Sequence, residues 1–272
     1  MKQLLLFLFG ISIPFFMIGQ TSNQNLSAYD YSDNGSDSID DAVYYLIAAT
    51  VADKIDSICN EGMYMTALEC MDSIEIAWEK SIKRELPTYW FLKKGNILMR
   101  LEEWNSIVEM SELYIKTHNF IEENDMAILY NMTGIAYRNI EDFSSALKNY
   151  ELALSIYKRK NDLGNVGGIL CDIAYCYRKM GRSYLSSSFQ EKGLSAYYDY
   201  FGVTKKRLLS RPFNTTNPHM KTVLNLFAAN LFQMAILAQE DKDYDARYEF
   251  LKMAANCGDE TALQEFKRIY GK

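Results

Sequence analysis

Two histidines and five cysteines are the residues of this chain with most to offer a catalytic or metal centre, and their spacing offers little. His118 and His219 each fall near the end of a predicted helix, with no partner at ligand spacing. Cys59, Cys70, Cys171, Cys176 and Cys257 contain no CxxC pair, and an odd count in an oxidising compartment leaves at least one thiol free. Cys59 and Cys70 flank a short predicted turn, so a bridge between them is geometrically open; the simpler reading makes all five small buried apolar side chains. No GxSxG, HExxH, GxGxxG or phosphate-loop pattern occurs. Gly164, Gly167 and Gly168 cluster, but they lead into a helix and not out of a strand, and are read as a turn. The pairs Glu102/Glu103 and Glu122/Glu123 lie near helix ends, where solvation or capping accounts for them. Asp30, Ser32, Asn34, Gly35 and Asp41 follow part of a calcium-loop spacing, yet Asp37 stands where an aliphatic residue belongs. A tail ending in a helix cap, with Ser38 and Asp41 as a capping box, explains these residues better. The expectation is a protein that is not an enzyme and uses no cofactor and no metal ion.

The remaining function classes are narrowed by composition. The chain has 272 residues, 49% hydrophobic, with 4 prolines, enough for packed cores and too apolar for disorder. Residues 1–19 place Lys2 ahead of an apolar run from Leu4 to Gly19 broken by Gly10 and Pro14, the pattern of a secretory signal peptide. The run is shorter than the roughly 20 apolar residues of a spanning helix, and no second long apolar run follows, so no membrane span is expected in the mature chain. Loss of the leader removes Lys2 and no acid, taking the net charge from -6 to -7. An exported protein of that charge lacks the basic face that nucleic acid requires. A periplasmic, cell-surface or extracellular location is expected.

The chemistry-poor residues must therefore serve a surface, and the periodicity shows what builds it. Residues 20–37 (QTSNQNLSAYDYSDNGSD) are polar, small and acidic, a disordered linker. From Ser38 onward apolar residues recur at three- and four-residue intervals, and two-residue alternation is absent, which predicts eleven amphipathic helices. Gly95 is followed nine residues later by Trp104 and twelve later by Ile107; Gly134 is followed at the same intervals by Phe143 and Ala146. With Ala174 these positions recur at a period near forty residues.

The stretch YNMTGIAYRNIEDFSSALKNYELAL resembles a tetratricopeptide (TPR) repeat: Gly134 at the helix crossing, Tyr137, then Ala146, Tyr150 and Ala153 on the second helix. Its long period is similar to long-helix TPR variants of bacterial regulatory and scaffold proteins. Two of the other repeats are degenerate: Ile55 replaces the glycine in one, and Ser186 to Ser188 replace alanine in the other. YDARYEFLKMAANCGDETAL resembles the second half of a Sel1-type repeat, through Tyr244, Phe250, Ala254, Ala255, Gly258 and Ala262, with Arg247 departing from it. The resemblance covers residues 40–272 and implies an all-α, right-handed superhelical solenoid of stacked antiparallel helix hairpins. TPR-like repeats then occupy 38–201, a basic insertion loop 202–217, and a Sel1/TPR-like repeat with a capping helix 218–272.

Such a stack implies a concave groove lined by each repeat's first helix, where the family grips extended peptides. Carried over by position, the partner-binding residues are Tyr89, Asn96, Arg100, Asn131, Arg138, Tyr175, Arg178 and Lys179. Arg100, Arg138 and Arg178 stand at one level of three successive repeats, a ladder of guanidinium forks suited to the carboxylates of an acidic or C-terminal peptide segment. Placement in the last helical turn, where a cation complements the helix dipole, is the other explanation of these arginines. Lys205, Lys206, Arg207 and Arg211 of the insertion offer a second surface. The function expected is an exported scaffold holding a protein or peptide partner. The alternatives are a cell-envelope glycan-binding protein, from the 20 tyrosines and 3 tryptophans, or the sensor component of a signalling assembly.

Overall fold

The computed structural model describes residues 39–82, 86–118 and 121–271. The leader, the acidic linker, the calcium-like spacing and the Ser38 cap lie outside the described residues. Among the described residues every regular element is a helix: α1 (Ile39–Asn60), α2 (Tyr64–Ile82), α3 (Thr88–Arg100), α4 (Trp104–Thr117), α5 (Glu123–Asn139), α6 (Phe143–Arg159), α7 (Leu163–Lys179), α8 (Ser183–Phe201), α9 (Lys205–Ser210), α10 (Pro218–Glu240), α11 (Tyr244–Asn256) and α12 (Glu260–Tyr270). They form two compact units that divide between Glu103 and Trp104. In each unit successive helices pack neighbour to neighbour, the arrangement of an all-α solenoid.

One turn, used repeatedly, makes the hairpins. At Glu141, Asn161 and Lys242 a residue with positive φ directly follows the helix C-cap, and an aspartate follows it. The aspartate's amide reaches back to the helix it leaves, as in Asp142 N to Tyr137 O at 2.9 Å and Asp243 N to Ala238 O at 2.9 Å, closing a Schellman bond. Its carboxylate caps the helix it opens: Asp142, Asp162, Asp243 and Asp259 accept from the amides of Ser145, Asn165, Ala246 and Ala262. Three residues thus satisfy orphan groups of two helices and reverse the chain.

The first unit packs α1, α2 and α3 around Val51, Ile55, Ala67, Met71, Trp90 and Ile97. Trp90 Nε1 donates to Glu75 at 2.9 Å, and Lys94 pairs with Glu75 at 2.7 Å and Asp72 at 2.8 Å, so the polar edges of this core are satisfied. In the second unit α4 to α8 alternate direction, with α5 also meeting α7 and α7 meeting α10 across the stack. Tyr150, Ala146, Ala153 and Ile173 fill one core and Tyr197, Phe201, Phe227 and Leu231 the next. Phe227 stacks on Tyr197 at 4.4 Å between ring centres, joining α8 to α10. α10 is long and apolar enough to cross a membrane by composition; half of its apolar stretch is buried against its neighbours.

Two expectations are corrected here. Gly164, Gly167 and Gly168 are not a turn but buried residues inside α7, where the side chains of Val223, Tyr197 and Leu226 occupy the space a β-carbon would need. Asp162 caps this helix, and tertiary packing outweighs glycine's poor helix propensity. Residues 202–217 are not simply a loop: Thr204 caps the short helix α9, and Leu208 is fully buried against α11 and its neighbours. Asn256 clasps this insertion from both ends, its amide donating to Leu208 O at 2.6 Å and its carbonyl accepting from Phe213 N at 2.7 Å. Asn256→Ala should lower stability by about 1 kcal/mol, one net hydrogen bond, and speed trypsin cleavage after Lys205, Lys206 and Arg207 several-fold. Mass-spectrometric timing of those cuts checks it; unchanged rates would mean that Leu208 alone fixes α9.

Candidate partner-binding surfaces

The two units present different answers to the predicted groove. In the first, Trp90, Gly95, Ile97 and Leu98 turn one side of α3 into the core, which leaves Tyr89, Leu92, Lys93, Asn96 and Arg100 on the opposite side. These residues face Asp56, Cys59 and Asn60 at the end of α1 and Tyr64 at the start of α2, across an open groove of about 410 Å3. Lys93 is held by Asp56 and by the carbonyl of Ala52 at 3.4 Å. Arg100 is exposed and forms no ion pair among the described residues. Burial, and secondarily Asp56, push the Cys59 thiol up against the opposing pull of Lys93, so it presents a neutral SH to the groove.

In the second unit the cations of the ladder are already occupied. Arg138 of α5 pairs with Asp172 of α7, with only 22% and 15% of the two side chains exposed. Arg178 of α7 pairs with Asp241 at the end of α10 and donates to Ser183 Oγ at 3.3 Å; Lys179 meets Glu240 at 3.5 Å. Tyr175 lies beneath both Arg138, at 5.4 Å, and Lys179, at 5.5 Å. Each arginine therefore fastens the first helix of one hairpin to the first helix of the next. Burial pushes the Asp172 carboxyl up, and Arg138 draws it partly back.

Beside this pair a crevice bordered by Ser186, Gln190, Asn230 and Gln233 has room for little more than a water molecule, about 20 Å3. Asn230 is engaged, donating to the Tyr197 hydroxyl at 3.0 Å. The Asn131 Oδ1 and the Tyr150 hydroxyl are buried and find no hydrogen-bond partner among the described residues. Of the predicted partner-binding residues, Tyr89, Asn96 and Arg100 thus share one open groove, Arg138, Tyr175, Arg178 and Lys179 share an internal network, and Asn131 is half-buried. Asp56, Tyr64, Asp172 and Asp241 were not singled out by the sequence.

The second predicted surface is partly spent as well. Lys205 pairs with Glu249, and Arg207 donates to the carbonyls of Arg211 at 2.8 Å and Pro212 at 3.1 Å, its guanidinium 5.9 Å from the Phe213 ring. Lys206 and Arg211 remain exposed and form no ion pair among the described residues. Elsewhere, the His118 ring stacks on Tyr114 at 3.7 Å. Among the described residues no three of His, Cys, Asp and Glu come together as metal ligands. All five cysteines are free thiols. Burial raises Cys171 and pushes Cys176 and Cys257 up to about 12, so they carry no thiolate at neutral pH.

No family model matches this chain, and no curated protein matches it. Among solved structures, one described as "Crystal structure of MamA" is similar, with 13% identity and a TM-score of 0.42 over 80% of this chain and 97% of that one.

Proposed function

We propose that the chain is an exported TPR-type scaffold that holds an extended peptide segment of a protein partner in the groove between α1, α2 and α3. Export rests on the leader-like residues 1–19. The observation that carries the binding site is Arg100, an exposed residue that lines an open groove and forms no ion pair among the described residues. Its fork suits an acidic side chain or a terminal carboxylate, the Asn96 amide can pair with a peptide backbone, and Tyr64, Tyr89 and Leu92 offer apolar contact. Arg138 and Arg178 are assigned to fastening the stack and not to the partner.

Short fluorescent peptides that differ only in carrying an acidic or an amidated end test this. The acidic form should bind more tightly to the full chain by fluorescence anisotropy. Arg100→Glu should weaken it by tenfold or more, since a charged hydrogen bond contributes about 1.5–3 kcal/mol. Arg100→Lys should lose part of that, because the fork is gone while the charge stays. Equal binding of both peptides, with circular dichroism unchanged, would remove the groove from consideration.

A further inference from the structure

The groove carries charge at two points along α3, and the two differ in sign. Lys93 and Arg100 both line it, two helical turns apart on the same side of α3. At Lys93, however, the charge that meets the groove is negative. The Lys93 side chain is only 19% exposed, drawn down onto Asp56 and the carbonyl of Ala52, whereas Asp56 is 56% exposed. Asp56 spends Oδ1 on the ammonium, and its Oδ2 takes no hydrogen bond among the described residues. Asp53, one turn earlier on α1, is exposed and adds a second negative charge on that side. Tyr89, one turn before Lys93 on α3, brings an aromatic ring to the same end of the groove, and a carboxylate with a ring nearby suits a cation. The Arg100 end suits an anion.

Seven residues of helix from Lys93 to Arg100 rise about 10 Å. An extended chain covers that length in three residues, at about 3.3–3.6 Å each. We infer that the partner segment is bipolar: a carboxylate seated on Arg100 and, three residues before it in an extended chain, a lysine or arginine seated on Asp56. This inference rests on the peptide-groove reading above and adds the second charge that the groove reads. The partner's cation takes the Asp56 oxygen that Lys93 leaves to water, so it does not have to break the ion pair beneath it. A segment of consecutive acids is selected against, because its first acid satisfies Arg100 only by laying another against Asp56.

The test uses the full chain and fluorescent peptides of one length that end in a C-terminal acid. Each carries a single lysine one, three or six residues before that acid, or glutamine in its place. At low salt, lysine three residues before the acid should tighten binding about fivefold over glutamine, the upper end for a partly exposed ion pair, and lysine at the other two places by less than about twofold. Asp56→Asn should abolish the advantage of lysine. Lys93→Met, which leaves both Asp56 oxygens to the peptide, should enlarge it, with circular dichroism checking that each variant folds. The positional series itself needs no variant. An equal gain at all three places would mean attraction by the net negative charge of the chain, and no gain at any would mean a groove indifferent to bases; either result, or a gain that survives Asp56→Asn, overturns the inference. If the acidic peptide still weakens in Arg100→Glu in that case, the groove reading stands on the carboxylate alone; if it does not, both fall.

Discussion

Replacing Asp172 with leucine should destabilise the second unit by about 3 kcal/mol, near the lower end of the range for stripping one partner from a buried ion pair. Asp172 is fifteen per cent exposed and Arg138 twenty-two per cent, so the stranded guanidinium keeps a little water but cannot leave its place under α7. What remains for it is the Tyr175 ring at 5.4 Å, whose attraction is worth about 1 kcal/mol. Removing both charges, as Arg138→Met with Asp172→Leu, should return stability to within about 1 kcal/mol of the wild type, because the attraction of such a pair roughly offsets its desolvation. Thermal and urea unfolding of the four proteins closes the double-mutant cycle. A small loss in Asp172→Leu would mean that the pair is not what fastens α5 to α7.

The same carboxyl predicts a pH dependence with a definite sign. Burial raises its pKa above the unfolded value near 4, so the folded chain binds the proton more tightly than the unfolded chain does. Stability from this group is then greatest below about pH 4 and declines as pH rises from the unfolded to the raised folded value, after which it is flat. The stability of the wild type relative to Asp172→Asn should fall across that window. A difference that grows with pH would show that Arg138 holds the carboxyl low and that attraction exceeds desolvation.

Much of this arrangement is legible in the sequence, and what is hidden has physical reasons. The three- and four-residue periodicity places eleven helices because each buries one side, as α3 does with Trp90 and Ile97. The twelfth, α9, is six residues long, too short for periodicity to declare itself, and half of it is lysine and arginine; only burial of Leu208 reveals why it is helical. The glycines of α7 read as a breaker because propensity is local, while the tyrosine and leucine that need their space come from other helices. Tyr89, Asn96 and Arg100 are recoverable because they share one side of one helix. The acids are not: Asp172 lies 34 residues beyond Arg138, whereas Asp241 lies 63 beyond Arg178, with the insertion between, so no single period connects cation to partner. An arginine ladder read without its acids looks like a binding surface when two of its rungs are fasteners.

Gly193→Val should be among the most damaging substitutions outside the ion pair, lowering stability by about 3 kcal/mol or more, and worse than Gly134→Val. Both glycines let two helices approach, but against different obstacles. A β-carbon at Gly134 would stand 2.7 Å from Cδ1 and Cε1 of Tyr150, a side chain with no exposed surface and no room to swing outward. At Gly193 it would stand 2.7 Å from Cys171 Sγ and also 3.1 Å from the Gly167 carbonyl and 3.2 Å from the Cys171 amide, which belong to the backbone of α7. A tyrosine can be replaced; a helix backbone must be pushed away along its length. The rescue experiments should therefore differ. Tyr150→Leu should recover most of the loss in Gly134→Ala, beyond its own cost, by making room for the methyl group. Cys171→Ala should recover only part of the loss in Gly193→Ala, because the backbone contacts of α7 remain. Equal rescue at the two sites would mean that α7 and α8 can separate as readily as a side chain can repack, contrary to the low compressibility of a close-packed interior.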